Sequence, residues 1–174
     1  MADSQTGLVR WYSPDPRAII PLDTFNISRS LRQVLKKKIF EIRIDVSFEE
    51  VMRHCALREE TWISEEIVQS YCALHKLGHA HSVEAWSEGS LAGGLYGVAL
   101  GAAFFGESMY SVQRDASKAA LVSLVDRLRS KAFELLDIQF MTPHLAHFGA
   151  VNIPRKEYLA LLKQALARET KFTD

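Results

Sequence analysis

Three polar side chains stand in stretches of the sequence that are otherwise apolar and have the pattern of β-strands. Glu107 directly follows the uncharged stretch 91–106, and Asp137 and Gln139 lie two apart in the stretch 133–140. Residues two apart on a strand face the same side, so Asp137 and Gln139 are predicted to share one face. A carboxylate and an amide there indicate either a buried hydrogen-bonded pair or a polar site at the end of an apolar pocket.

A cluster of cations stands out in a chain that is otherwise balanced in charge. Residues 26–38 contain five basic side chains and no acid, namely Arg29, Arg32, Lys36, Lys37 and Lys38. Lysines near the C-terminus of a helix are electrostatically favourable, so the cluster could be a solvated helix end. It could equally be a patch that binds phosphate groups, and the residues alone leave both interpretations open.

The histidines and cysteines do not have the spacing of a metal site. His79 and His81 lie two apart in a predicted strand and should face one side, but no further ligand stands at a suitable spacing. Structural or surface histidines are therefore favoured, and no metal is expected. Cys55 and Cys72 are well separated and are interpreted as free thiols in a reducing cytoplasm.

Length and composition restrict the class of protein. The chain has 174 residues, of which 48% are hydrophobic and 24% charged, as in one ordinary globular domain. These values exclude a mainly disordered chain, a collagen-like chain and a disulfide scaffold. Because 21 basic and 21 acidic residues cancel, the net charge gives no indication of a nucleic-acid partner.

The uncharged stretch 91–106 could be mistaken for a membrane segment. It is shorter than the ~20 residues that a spanning helix needs, and it contains several glycines, which weaken a helix. Two buried strands folded on each other, with Gly101 near the turn, fit it better. Residues 1–7 are polar and contain no hydrophobic core, so no export signal is expected.

Capping residues and hydrophobic periodicity predict the elements that position these side chains. Ser28, Ser64 and Asp115 are interpreted as helix N-caps, and Ser47 with Glu50 as a capping box. Helices are predicted over 28–37, 47–57, 64–77, 115–128, 142–149 and 154–167, and strands over 39–46, 79–87, 90–100, 102–109 and 133–140. Residues 11–17 are interpreted as an extended or turning segment. This order predicts an α+β fold with a mixed, largely antiparallel sheet flanked by helices.

Ten short strings follow one another along nearly the whole chain, from about residue 11 to about residue 166. They are WYSPDPRA at 11–18, NISRSL at 26–31, TWI at 61–63, LGHAHSVE at 77–84, GGLYGVA at 93–99, FGESM at 105–109, DASK at 115–118, LDIQ at 136–139, TPHL at 142–145 and IPR at 153–155. In this order they resemble the bacterial leucyl/phenylalanyl-tRNA–protein transferase family. Many separate motifs in one order make the resemblance specific.

The resemblance implies an enzyme that transfers Leu or Phe, with Met a further candidate, from aminoacyl-tRNA to proteins that begin with Arg or Lys. The product is marked for the N-degron route of proteolysis. A GNAT-like catalytic fold, no cofactor, no membrane association, a cytoplasmic location and a monomer are expected. Residues 1–174 are expected to form a single GNAT-like domain with a flexible stretch 1–10, and the family's N-terminal domain is expected to be largely absent.

The resemblance also implies roles for individual residues. Asp137 with Gln139 would accept the proton of the attacking amine, and Glu107 would help to place an amine. Trp62 would stack on the terminal adenine, and the five cations of 29–38 would contact the tRNA backbone. The aminoacyl side chain would lie in an apolar pocket formed by Leu95, Phe104, Met109, Leu121, Leu124, Leu128 and Leu136.

Two other functions compete with aminoacyl transfer. One is a GNAT-like N-acyltransferase that uses a CoA thioester, although the Gln/Arg-x-x-Gly-x-Gly loop that would bind its pyrophosphate is missing from the sequence. The other is a non-catalytic RNA-binding relative. Retention of Glu107, Asp137 and Gln139 together with the apolar pocket argues against loss of catalysis.

Overall fold

The computed structural model describes residues 12–57 and 61–173. The predicted flexible stretch 1–10 and Trp11 lie outside these residues. The strands are β1 Arg17–Ile20, β2 Glu41–Ile44, β3 Ala80–Ser87, β4 Ser90–Leu100, β5 Ala103–Ser111, β6 Leu135–Gln139 and β7 Val151–Ile153. The helices are α1 Arg29–Lys36, α2 Phe48–Ala56, α3 Glu65–Lys76, α4 Ala116–Ser130, α5 Pro143–Ala146 and α6 Arg155–Leu166.

The seven strands form one sheet in the order β2-β3-β4-β5-β6-β1-β7. Neighbouring strands are antiparallel except for β5 and β6, which are parallel. The predicted α+β class with a mixed, largely antiparallel sheet and flanking helices is confirmed. β1 and β7 were not predicted, because strands of four and three residues are too short to show an alternating pattern.

Helices cover both faces of the sheet. In three neighbouring strands, one residue packs with α4 and the residue before it packs with α6. These pairs are Ile20 and Ile19 in β1, Phe104 and Ala103 in β5, and Leu136 and Leu135 in β6. Successive strand residues point to opposite faces, so the sheet has an α4 face and an α6 face. Side chains on one face pack against α4, and side chains on the other face pack against α6.

Two of the predicted helix caps form as expected. The Ser28 hydroxyl accepts a hydrogen bond from Leu31 N at the start of α1, and the Ser64 hydroxyl accepts one from Ile67 N at the start of α3, each at 3.3 Å. Both hydroxyls satisfy a backbone N–H that has no partner within its helix. A serine directly before an apolar periodic stretch therefore predicted the start of both helices correctly.

The two other predicted caps are wrong. Ser47 precedes α2 but makes no side-chain cap bond; Glu84 instead reaches from β3, and its Oε1 accepts a hydrogen bond from Ser47 N at 2.7 Å. Asp115 precedes α4 in a left-handed conformation and makes no cap bond. The hydroxyl of Ser111 takes that place and accepts from Ser117 N at 3.2 Å. In both cases a strand residue, Glu84 of β3 or Ser111 of β5, supplies an acceptor that the predicted cap was expected to provide.

The predicted strand 39–46 is shorter in the structure. Alternation placed Val46 on the same side as Ile42 and Ile44, but its side chain is 58% exposed. Asp45 has a φ of 60°, which ends β2 and turns the chain towards α2.

His81 is buried and its Nδ1 lies 2.7 Å from Asp45 Oδ2. His79 is exposed and precedes β3, so the two histidines do not form the predicted pair on one strand.

The uncharged stretch 91–106 forms the hairpin of β4 and β5, as predicted. Gly101 lies in its turn with a φ of 56°, and a Cβ there would lie 2.7 Å from the carbonyl oxygen of Ala165. Glycine is therefore required both by the turn and by the close approach of α6. Within 12–57 and 61–173, no helix is long and apolar enough to cross a membrane.

Candidate active site

A cavity of about 550 Å³ opens where two parallel strands separate. β5 and β6 pair only from Ala103 with Leu135 to Phe105 with Asp137, although both strands continue beyond these residues. The gap between them is lined by Trp62, Leu95, Tyr96, Gly106, Glu107, Ser108, Met109, Leu121, Leu124, Leu136, Ile138, Gln139, Phe140, Thr142, His144 and Leu145. The lining is largely apolar, with a few polar groups at the strand ends, as in many small-molecule sites.

Two β-bulges lie at the edges of this gap. Between β4 and β5 the register passes from Tyr96 with Ser108 to Gly97 with Gly106, so Glu107 is the extra residue. Between β1 and β6 it passes from Ile19 with Asp137 to Ala18 with Gln139, so Ile138 is the extra residue. A bulge bends its strand and redirects side chains. Both bulges thereby bring polar groups to the cavity.

Gly97 permits the first bulge. A Cβ at this position would collide with the carbonyl oxygen of Phe105 and would lie 2.5 Å from the ring of Phe104. Neither the backbone of β5 nor a fully buried ring can move away cheaply. Glycine at 97 therefore lets β4 approach β5 closely at the point where Glu107 leaves the regular ladder.

Gln139 faces the cavity, whereas Asp137 does not. Leu136, Ile138 and Gln139 line it, whereas Asp137 is buried beside α6 and does not line it. Asp137 pairs with Ile19 and Gln139 with Ala18, and these neighbours in β1 point to opposite faces. The prediction that Asp137 and Gln139 share one face is therefore wrong. The physical reason is the bulge at Ile138 followed by a φ of 64° at Gln139, because a left-handed residue breaks the alternation of a strand.

Asp137 is fully buried and accepts four hydrogen bonds. Arg17 donates from Nε to Oδ1 at 2.9 Å and from Nη2 to Oδ2 at 2.6 Å. The Tyr158 hydroxyl donates to Oδ2 at 2.7 Å, and Gln139 N donates to Oδ1 at 2.8 Å. Burial disfavours the charge on Arg17, but Asp137 outweighs this effect and raises the pKa of the guanidinium. The carboxylate is thus paired and solvated by protein donors, as a buried charge must be.

Glu107 carries the carboxylate that lines the cavity. Gln139 Nε2 donates to its Oε2 at 3.2 Å, and the Tyr71 hydroxyl lies close enough to favour the charged form of Glu107. Burial raises the pKa of Glu107, and the two donors only partly offset this effect. Burial, together with the Glu107 charge, also raises the pKa of Tyr71. Glu107 therefore holds a proton more readily than an exposed glutamate.

The apolar residues assigned to the aminoacyl pocket divide into two groups. The cavity is lined by Leu95, Met109, Leu121, Leu124 and Leu136. Phe104 and Leu128 do not line it and are fully buried in the core between the sheet and α4. Strand and helix periodicity places apolar residues on an inward face but does not say which of them border an open space.

The two candidate RNA-binding features lie at different places. Trp62 is half-buried and lines the cavity just before α3. The five cations of residues 29–38 are all exposed, and none forms an ion pair with another described residue. They lie on α1 and the turn after it, and α1 packs against α4, the helix that also forms one wall of the cavity.

Several residues around the site were not predicted from the sequence. Arg17 and Tyr158 hold Asp137, and the Tyr71 hydroxyl lies near Glu107. A buried carboxylate requires donors, so partners for Asp137 could have been expected. Their identity was hidden because Arg17 lies 120 residues away in sequence. His144 also lines the cavity, and burial, with Lys118 and His147, lowers its pKa.

Comparison with known proteins identifies the family. A profile described as leucyl/phenylalanyl-tRNA protein transferase matches residues 19–163. The chain belongs to this transferase family. A leucyl/phenylalanyl-tRNA–protein transferase of Herpetosiphon aurantiacus is 56% identical, covering 97% of this chain and 88% of the relative. Relatives of the same name from Chlorobaculum parvum and Rubrobacter xylanophilus are 54% and 56% identical, covering 99% and 95% of this chain and 91% and 87% of each relative.

Solved structures of low sequence identity share the fold. L-PGS from Bacillus licheniformis has a TM-score of 0.53 at 12% identity, covering 89% of this chain and 66% of that protein. A conserved protein of unknown function from Staphylococcus epidermidis has a TM-score of 0.51 at 10% identity, covering 79% of this chain and 56% of that protein. Membership of the transferase family supports aminoacyl transfer from tRNA, the first of the three functions considered. The chain is an aminoacyltransferase.

Proposed function

We propose that this chain transfers leucine or phenylalanine from an aminoacyl-tRNA to the N-terminal Arg or Lys of an acceptor protein. The observation that carries the proposal is an apolar cavity with one amide and one half-buried carboxylate, Gln139 and Glu107, at its polar end. The apolar walls suit the side chain of the donor, and the polar end suits its reacting ester and an amine. The new N-terminal residue would mark the acceptor for the N-degron route.

The reaction is the aminolysis of an ester. The acceptor nitrogen bonds to the carbonyl carbon of the aminoacyl ester, and the bond from that carbon to the ribose oxygen breaks. The proton that the nitrogen loses ends on the ribose hydroxyl. Aminolysis of an ester is favourable, so holding the two substrates in line is the main requirement, and alignment alone is worth several kcal/mol.

Proton transfer during this step is assigned to the polar end of the cavity. The role of Asp137 with Gln139 as a proton relay stays a prediction. Gln139 lines the cavity, and Asp137 could take up the proton only through Gln139 or through a rearrangement, because its carboxylate is buried with four donors. Glu107 can bind an amine directly, since it lines the cavity.

The cavity supports a preference for apolar donors. Leu121, Leu124 and Leu136 would contact the donor side chain. Such a wall distinguishes Leu, Phe and Met weakly, because one methylene is worth roughly 1–3 kcal/mol. A charged donor side chain would lose its hydration without gaining a partner, which is far more costly.

The charged groups of the chain suit the two macromolecular substrates. The carboxylate of Glu107 would attract the N-terminus of an acceptor that begins with Arg or Lys. Trp62 offers an aromatic face to the terminal adenine, and the exposed cations of residues 29–38 suit the phosphates of the acceptor stem. We place this activity in the cytoplasm and assign it to a monomer without a cofactor.

The deciding experiment measures transfer of labelled Leu or Phe from charged tRNA to peptides that differ only in their first residue. Peptides beginning with Arg or Lys should accept the label, and peptides beginning with Ala or Asp should not. tRNA charged with Lys or Asp serves as the matched donor control. Absence of product at high enzyme concentration with every donor would refute the proposal.

A further inference from the structure

The carboxylate of Asp137 has no acceptor position left for a substrate. Each of its oxygens accepts two hydrogen bonds, and its side chain is fully buried on the α6 face of the sheet. The cavity lies between the separated ends of β5 and β6, and Asp137 does not line it. Apart from the effect of its charge on the pKa of Glu107, Asp137 can therefore act on the cavity only through another residue.

Gln139 is the residue that links Asp137 to the cavity. Its backbone N–H donates to Asp137 Oδ1 at 2.8 Å, and its side-chain amide donates to Glu107 in the cavity. Its φ of 64° is unfavourable for a residue with a side chain and persists only where surrounding contacts impose it. The hydrogen bond from its own N–H to Asp137 is such a contact.

We propose that Arg17 and Tyr158 are positioning residues for the transfer reaction, acting through Asp137 on the conformation of Gln139. The inference rests on the proposed function and adds two residues to its site. The two donors on Arg17 fix the plane of the carboxylate, and the Tyr158 hydroxyl fixes its second oxygen. The first oxygen is thereby held where it binds Gln139 N and keeps the Gln139 amide beside Glu107.

The two positioning residues are themselves held together. The Arg17 guanidinium lies over the Tyr158 ring at 4.8 Å. A second link joins the segments that carry them, because Arg155 N donates to Asp15 Oδ1 at 3.1 Å and Arg155 Nη1 donates to the carbonyl of Ser13 at 3.1 Å. The segment before β1 and the start of α6 are thus tied together independently of Asp137. Such support is what a precisely oriented site requires.

The first test compares Tyr158→Phe with Tyr110→Phe. Tyr158→Phe removes one donor to Asp137 but keeps the ring that packs beneath Arg17. Tyr110→Phe is the matched control, because the hydroxyl of Tyr110 is buried and has no hydrogen-bond partner among the described residues. We expect Tyr158→Phe to lower kcat for Phe transfer about tenfold, with KM for tRNA and for peptide unchanged and with kcat normal in Tyr110→Phe.

The second test compares Arg17→Lys with Arg127→Lys. Lysine keeps the positive charge but cannot donate two parallel hydrogen bonds to one carboxylate. Arg127 also lies over an aromatic ring, at 5.2 Å from the centroid of Phe172, and donates to a buried acceptor. We expect Arg17→Lys to lower kcat roughly 100-fold with KM unchanged, whereas Arg127→Lys should lower only the melting temperature.

A third measurement follows Gln139 itself and does not depend on activity. The backbone amide proton of Gln139 should exchange slowly in the wild-type protein, and faster in Tyr158→Phe but not in Tyr110→Phe. An unchanged kcat, a rise in KM alone or an unchanged exchange rate in Tyr158→Phe would overturn the inference. Inactive wild-type protein would refute the proposed function instead, and the exchange comparison would still decide whether Tyr158 holds Gln139.

Discussion

Gln139 Nε2 lies 3.2 Å from Glu107 Oε2 and joins two strands that have ceased to pair. Each residue stands at a bulge, and each bulge lies where β5 and β6 separate. The separation creates the cavity, and the bulges supply its polar end. The candidate site is thus a consequence of two local departures from a regular sheet.

Replacing Glu107 with Gln should stabilise the protein at neutral pH and reduce its activity. Because burial raises the pKa of Glu107 in the folded state, the folded protein binds this proton more tightly than the unfolded chain. Stability from this group is therefore complete below the ordinary glutamate pKa of about 4.3 and is lost as pH rises towards the folded pKa. Melting temperatures of wild-type and Glu107→Gln protein at several pH values test this.

The stability difference between the two proteins should be largest at neutral pH and should disappear below about pH 4. Glu157→Gln, at an exposed position on α6, is the control and should not show this pattern. A melting temperature of Glu107→Gln below that of the wild type at neutral pH would contradict the prediction.

Shortening Leu124 should change the choice of donor. Leu124→Ala enlarges the cavity, so we expect the ratio of Phe to Leu transfer to rise, together with a loss of stability of about 2–5 kcal/mol. Leu128→Ala removes the same atoms one turn further along α4, where the side chain is buried but does not line the cavity. It should lose similar stability without changing the ratio, and competition assays with both charged tRNAs measure this.

Reversing charge on α1 should weaken tRNA binding alone. The double variant Arg32→Glu and Lys36→Glu is expected to raise KM for aminoacyl-tRNA and to reduce the dependence of binding on salt, because fewer counterions are released. Turnover of a minimal aminoacyl-adenosine donor should be nearly unchanged. Lys156→Glu with Lys163→Glu on α6 is the control, and an equal effect of both pairs would count against a specific surface.

Removing the Glu84 carboxylate should destabilise the fold. Glu84 is fully buried, and it accepts hydrogen bonds from Val46 N, Ser47 N, the Ser82 hydroxyl and Trp86 Nε1 at 2.7–2.9 Å. Glu84→Leu leaves these donors without an acceptor, at a cost of about 3 kcal/mol or more. Urea unfolding measures this loss in the free energy of unfolding. Glu84→Gln keeps one acceptor oxygen and should cost less, and equal losses in the two variants would show that the hydrogen bonds are not the cause.

The sequence by itself determined most of the elements and the family. Serines before helices, glycines at turns and apolar periodicity located the β3–β5 meander, α1, α3 and α4, because these signals act over a few neighbouring residues. The order of many short motifs indicated the transferase family. Glu107, Gln139 and five of the seven apolar residues assigned to the pocket line one cavity; their roles in the reaction stay predictions.

Only the tertiary structure decided which face each polar residue occupies and what holds it. Strand alternation assigned Asp137 to the side of Gln139, and a bulge at Ile138 moved the two apart. Arg17 and Tyr158 meet Asp137 because β1 pairs with β6 and α6 covers that face. Register and contacts between distant segments depend on the packing of the whole chain, and no local pattern of residues records them.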